Sequence, residues 1–280
     1  MHKESQRKVK EMKLLFCDMD DTLLTSDKRI SDRNLSAIRR LTDSGCGFVM
    51  CTGRPLYSCM VLARQYALLG KNYYIASYNG GQIVDTFDSR ELVHEGVSFE
   101  VVRTLFAEAP RWDLNVQTYN DDCVLVEQDS EYIAWYSKRI RMPYRVVDDV
   151  MEALEAEPLK CIVAHMTDHD RLERFQAEIG PKLSDVTENI FSNPVLLEFG
   201  SKKAGKGIAV ENLSRVLGVD RSDCYAIGDE GNDIDMIKRA GTGIAMANAI
   251  DEAKQAADLV TRADNDHDGV AEIIEEVILR

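Results

Sequence analysis

Short, unbroken apolar runs recur along this 280-residue chain, and each stops at polar residues or glycine. Leu14–Cys17 ends at Asp18, and Phe48, Val49 and Met50 lead to Thr52-Gly53. YYIAS, from Tyr73, leads to the tight-turn signal Asn79-Gly80-Gly81, and CYAIGDEGN, from Cys224, ends in Gly228-Asp229. A strand that is apolar throughout needs cover on both faces, which it receives when helices connect parallel strands. Helical patterns stand where that arrangement needs them. One is expected over about 32–44, with Ser31 as N-cap, Leu35, Ile38 and Leu41 on its buried stripe, and Gly45 as its stop. Another opens at Pro55, a residue suited to the first helical turn, and a third runs from Lys206 to Leu217. GIAMAN, a helix from about Ala249, DLVT and a final helix complete the C-terminal third. The fold class expected is α/β, a doubly wound parallel sheet.

The middle of the chain, residues 84–195, breaks this rhythm. Helical patterns near 99–108, 131–140 and 168–178 alternate with NVQTY, CVLVE and LKCIVAHM, and Asp121-Asp122 suits a hairpin turn. The expectation is an α+β insert at 84–195 that interrupts a core formed by 12–83 and 196–280. Residues 1–11 read as a basic extension before the first strand, and Met12 is an alternative start.

A net charge of −14 argues against nucleic acid as a partner, since phosphates are met by a basic face. No stretch approaches the ~20 apolar residues of a membrane-crossing helix. Seven cysteines at 17, 46, 51, 59, 123, 161 and 224 show no disulfide-like spacing, which suits reduced thiols and a cytoplasmic location. Nothing in the sequence indicates an oligomeric state.

The chemistry concentrates where the strands end. In an open parallel sheet, ligands bind beyond the carboxyl ends of the strands. That rule brings together Asp18 with Asp20, Thr52 with Gly53, and Asp229 with Asn232 and Asp233. Clustered carboxylates are costly without compensation, and a cation can supply it. Mg²⁺ suits oxygen ligands completed by water and phosphate, whereas no His or Cys pair has zinc-like spacing. The Thr52 hydroxyl and the Lys206 ammonium suit phosphate oxygens.

DMDDT (18–22), CTGR (51–54), Lys206-Gly207 and GDEGND (228–233), in that order and with a long gap after the second, resemble the motifs of haloacid dehalogenase-like hydrolases. Within these, the chain is most similar to the Cof-type phosphatases with a large cap. The resemblance runs from about Met12 to Val270. It implies Asp18 as nucleophile and Asp20 as general acid and base. It also implies Mg²⁺ held by the Asp18 carboxylate, the Asp20 carbonyl and Asp229, with Asp233 orienting metal-bound water. Met19, Thr52, Gly53, Lys206 and Asn232 would hold the phosphoryl group. The commonest family motif has glycine where Asp21 stands, and Asp21 is expected to point away from the site. The activity implied is hydrolysis of a small phosphorylated metabolite, a sugar phosphate by preference. Phosphotransfer or mutase chemistry on the same core, and a non-catalytic phospho-ligand sensor, are the alternatives.

Other patterns carry less. Asp264–Glu275 satisfies the EF-hand spacing, but a strand pattern precedes it where a helix is needed, and Asp268 reads as a helix cap. His165 and His169 read as surface residues, and Trp112 and Trp135 as structural aromatics of the insert.

Overall fold

The computed structural model describes residues 12–280; the expected extension at 1–11 lies outside the described residues. The first five strands are β1 (Leu14–Cys17), β2 (Gly47–Cys51), β3 (Tyr73–Ser77), β4 (Gln82–Asp85) and the largely exposed β5 (Arg90–His94). β6 (Asn115–Tyr119), β7 (Val124–Val126), β8 (Tyr144–Val146), β9 (Lys160–Ala164), β10 (Thr187–Asn193) and β11 (Leu196–Ser201) follow. β12 (Cys224–Gly228), β13 (Thr242–Ala245) and β14 (Leu259–Val260) close the chain. They form an eight-stranded sheet, order β14-β13-β12-β1-β2-β3-β4-β5, and a six-stranded sheet, order β10-β11-β9-β6-β7-β8. The first is parallel from β14 to β3, with β4 and β5 antiparallel at its edge. The fold is therefore α/β with a mostly parallel sheet.

The crossings between the two sheets differ from those expected at 84 and 195. The turn at Tyr78–Gly80 reverses the chain, so β4 and β5 pair back onto β3 and residues 82–94 stay with the first sheet. At the other end, β11 pairs with β9 and β10 and belongs to the second sheet. Pairing partners, not composition, decide these memberships. Gly80 allows the turn to lie close: it has φ +86°, and a Cβ there would come 2.6 Å from the Ala209 Cβ.

Helices α1 (Asp32–Asp43), α2 (Leu56–Tyr66), α3 (Phe99–Glu108), α4 (Glu131–Ile140), α5 (Val150–Ala153), α6 (His169–Leu183), α7 (Lys206–Leu217) and α8 (Ile234–Arg239) flank the sheets. Ser31 caps α1 through the Asn34 amide, a contact worth about 1 kcal/mol. β1 is buried along its whole length because α1 and the C-terminal helix cover one face (Leu15, Ile38, Leu41, Ile274) and α7 the other (Leu14, Phe16, Val210, Leu213). In the six-stranded sheet, α3 and α6 cover Cys161, Val163, Leu197 and Phe199. Helix α4 packs on the opposite face, against Val124, Val126, Ile162, Ala164 and Leu196. No helix among the described residues is long and apolar enough to cross a membrane.

The EF-hand spacing does not build a site. Asp266 accepts from the Ser26 amide and hydroxyl, Asp264 engages His267, and Glu275 pairs with Arg33 and Arg40. Asp268 stands at the N-cap position of the C-terminal helix, as read, but its carboxylate accepts from the Ser31 hydroxyl at 2.5 Å and not from a helix amide.

Candidate active site

β2 and β12 flank β1, with Cys17 opposite Met50 on one side and Ile227 on the other. The segments after these strands therefore meet at one point. After β1 the chain makes a tight turn over Met19–Leu23, closed by the Leu24 amide on the Met19 carbonyl. Asp21 sits in that turn at φ +59°, in the left-handed region that aspartate tolerates better than most residues. Its carboxylate pairs with Lys28 at 3.0 Å, and its carbonyl accepts from Asn248.

Asp18 is buried at the end of β1, with Oδ1 2.5 Å from the Lys206 ammonium. Lys206 opens α7 and also donates to Asp233 Oδ1 at 2.6 Å. Helix α7 can lie this close because a Cβ on Gly207 would sit 2.2 Å from the Asp235 carboxylate. Asp233 Oδ2 accepts from the Asp229 and Glu230 amides, both at 3.0 Å, so both of its oxygens are engaged. Asp229 accepts from the Thr22 hydroxyl at 2.5 Å. Oxygen atoms of Asp18, Asp229 and Asp233 all lie within 4.8 Å of one another.

Three buried carboxylates thus cluster around one buried ammonium, which pairs with Asp18 and Asp233, while among the described residues Asp229 has only the Thr22 hydroxyl. Burial pushes Asp18 up to about 8; Lys206 opposes this, and Asp233 and Asp229 add to it. Burial likewise raises Asp229 to about 6, against the pull of the Thr22 hydrogen bond. For Lys206, burial disfavours the charge, yet Asp18 and Asp233 outweigh it and hold the ammonium well above its ordinary value. The cluster is short of positive charge, and its donors are all carboxylate oxygens. That set fits a hard divalent cation.

Asp20 stands outside the cluster. Its carboxylate is gripped by Arg54, Nε at 2.9 Å and a terminal nitrogen at 2.6 Å, with Lys28 at 3.4 Å. Burial pushes this carboxyl up, but Arg54 and then Lys28 outweigh it and hold it below the ordinary range. The Asp20 carboxylate is thus held apart from the Asp18, Asp229 and Asp233 oxygens.

Thr52 is buried after β2, and its hydroxyl accepts from the Arg54 amide at 3.2 Å. A Cβ on Gly53 would meet the Asn79 side chain at 3.1 Å. The Met19 side chain is buried under the turn. Asn232 is exposed and lines a cleft of about 560 Å³ between the two sheets, together with Lys206, Asn79, Lys160, Glu198 and Gly200.

Four features of the site were not assigned from sequence. Thr22 and Arg54 lie inside recognised motifs, where the fixed spacing was available as a signal. Asn79 was read only as a turn residue; it has φ +55°, and its Oδ1 is buried without a partner among the described residues. The fourth is a buried ion pair from the second sheet, Lys160 to Glu198 at 2.9 Å. Lys160 also donates to the Gly53 carbonyl at 3.3 Å and lies over the Tyr78 ring, tying the two sheets together. His165 accepts from the Asp168 amide and His169 meets the Pro194 carbonyl, so neither points to this site. Trp112 packs edge-on against Phe175.

Residues 15–274 match the sequence model of a family described as haloacid dehalogenase-like hydrolase. The Bacillus subtilis 5-amino-6-(5-phospho-D-ribitylamino)uracil phosphatase YcsE is 32% identical over 98% of this chain and 99% of its own length. The HMP-PP phosphatase of Yersinia enterocolitica is 29% identical over 87% of this chain and 86% of its own length. A crystal structure of a haloacid dehalogenase-like hydrolase from Bacteroides thetaiotaomicron superposes with a TM-score of 0.88 at 31% identity, covering 95% of this chain and all of that one.

Proposed function

The chain belongs to the haloacid dehalogenase-like hydrolases, and from that premise we propose that it is a Mg²⁺-dependent phosphatase of small phosphorylated metabolites. The observation that carries the proposal is the Asp18 carboxylate, buried at the end of a central strand and held 2.5 Å from Lys206, with the Asp20 carboxyl two residues on. Asp18 attacks phosphorus and takes the phosphoryl group as an aspartyl phosphate, while Asp20 protonates the departing alcohol oxygen. Water then attacks the phosphoaspartate as Asp20 takes its proton, and inorganic phosphate leaves. Lys206, the Thr52 hydroxyl, the backbone at Met19 and Gly53, and Asn232 position the phosphoryl oxygens. Asp18 and Asp229, with the Asp20 carbonyl, would hold Mg²⁺; Asp233 orients its surroundings by fixing Lys206 and the 229–230 amides. When bound, Mg²⁺ supplies positive charge against the charge of the transferring group.

Arg54 and Lys28 favour the ionised form of Asp20 that is needed for the second step. For the first step, the incoming phosphoryl group brings negative charge beside Asp20, which favours protonation. The cleft suits a metabolite and not a folded phosphoprotein. The named relatives act on phosphorylated small molecules, which supports the same class here. A sensor would need neither Asp18 nor Asp20. Phosphotransfer needs the same groups and an alcohol in place of water.

Release of p-nitrophenol from p-nitrophenyl phosphate tests the reading. Activity should require Mg²⁺, vanish in EDTA and return on adding Mg²⁺ but not Ca²⁺, whose longer bonds and higher ligand number disturb attack by Asp18. Full turnover after exhaustive chelation would remove the metal from the mechanism. No turnover of this ester or of any phosphorylated metabolite would overturn the phosphatase reading.

A further inference from the structure

The core-facing side of the six-stranded sheet is only partly covered. Residues 160, 162 and 164 of β9 and 196, 198 and 200 of β11 share this side, as the register of the pair requires. Helix α4 packs on Ile162, Ala164 and Leu196. The remaining strip, with Glu188 and Ile190 of β10 opposite Gly200 and Glu198, lines the cleft that also contains Lys206 and Asn232.

Gly200 stands in the middle of this strip. Directly across the strands lie Lys160 on one side and Glu188 on the other. A Cβ built on Gly200 meets nothing within 4 Å among the described residues, and its backbone needs no left-handed conformation. Glycine in a strand interior weakens the strand and leaves room for something to approach the backbone. Here the open volume is the cleft beside the phosphoryl-binding residues.

We propose that Gly200 sets the bulk limit of the leaving group, and that the notch at Gly200 accepts the neutral, hydroxyl-bearing skeleton of a phosphate monoester. This rests on the phosphatase reading. Glu198 and Glu188 accept hydrogen bonds from hydroxyls, and Lys160 donates to them. Lys160 and Glu198 neutralise each other at 2.9 Å, Arg239 is paired with Asp235, and Lys202 offsets Glu188, so beyond Lys206 the lining carries no net charge and a neutral polyol skeleton is favoured. Ile190, 47% exposed on the same wall, offers apolar contact to carbon faces.

The test compares wild type, Gly200→Ala and Gly200→Leu on glycerol phosphate, ribitol phosphate and glucitol phosphate with Mg²⁺ present. All three esters react at a primary alcohol and differ in length. Gly200→Leu should lower kcat/KM for the two longer esters at least about 10-fold, the scale of a steric misfit in a pocket, and change glycerol phosphate less than about 2-fold. Inhibition by inorganic phosphate should be unchanged, and Gly200→Ala should fall between the two. If the leucine variant does not fold, the length-dependent loss must still appear in Gly200→Ala and Gly200→Ser. Equal loss on all three esters, or no loss on the two longer ones, overturns the proposal while leaving the phosphatase reading intact. If the wild-type enzyme hydrolyses none of these esters or p-nitrophenyl phosphate, the phosphatase reading fails and the proposal fails with it.

Discussion

Asp18→Asn keeps the shape of the side chain at the end of β1 and removes its charge, so it separates what Asp18 does for catalysis from what it costs the fold. Without metal, the Asp18 carboxyl is raised from 3.8 to about 8 by burial, with Lys206 opposing. The folded state therefore keeps this proton up to about pH 8, whereas the unfolded chain releases it near pH 4. Between those limits the folded state binds more protons, and the stability of the metal-free protein falls as pH rises. A shift of about four units at ~1.4 kcal/mol each bounds the penalty at about 6 kcal/mol. Part of the removed charge was useful to Lys206, which keeps Asp233 at 2.6 Å. A net gain of about 2 kcal/mol at pH 8 is a reasonable magnitude, or roughly 5 °C in Tm for a chain of this size. Urea and thermal melts in EDTA at about pH 4.5, 6 and 8 should show Asp18→Asn equal to wild type at the lowest pH and increasingly more stable above it. Mg²⁺ should close the gap by stabilising wild type more than the variant, and phosphate release should be abolished. A variant that is less stable than wild type by the same margin at every pH would refute the argument that the cluster is short of positive charge.

Asp20→Asn should leave thermal stabilisation by Mg²⁺ and inhibition by inorganic phosphate nearly unchanged while lowering kcat by about 10²–10⁴-fold, the loss typical of a missing acid/base. Steady-state kinetics on p-nitrophenyl phosphate and on a poorer leaving group measure this, and the larger loss belongs to the poorer leaving group. Lys160→Met leaves the Glu198 carboxylate buried and unpaired, and should cost about 3 kcal/mol in urea unfolding. The double variant Lys160→Met/Glu198→Leu should recover most of that stability, since apolar replacement of a buried pair is often neutral.

Much of this protein follows from local pattern. The unbroken apolar runs are strands because only a sheet covered on both faces can bury them. Ser31 caps α1, and α4 spans Glu131–Ile140, because capping chemistry and helical periodicity are properties of neighbouring residues. The strand-end motifs converge because a parallel sheet gathers its carboxyl ends, so the placement of Asp18, Thr52 and Asp229 at one end of the sheet was legible in the sequence. What was not legible depends on which distant strands become neighbours, and in what register. Residues 82–94 pair with the first sheet and 196–201 with the second, whereas the sequence pattern put 84–94 in the insert and 196–201 in the core. The Arg54 fork on Asp20, the Lys160–Glu198 pair across β9 and β11, and the full engagement of Asp233 each join side chains from separate segments. The same holds for the notch at Gly200. A glycine in a sequence marks only a missing side chain, and the sheet register and the facing core decide whether that gap is filled or opens on a cleft.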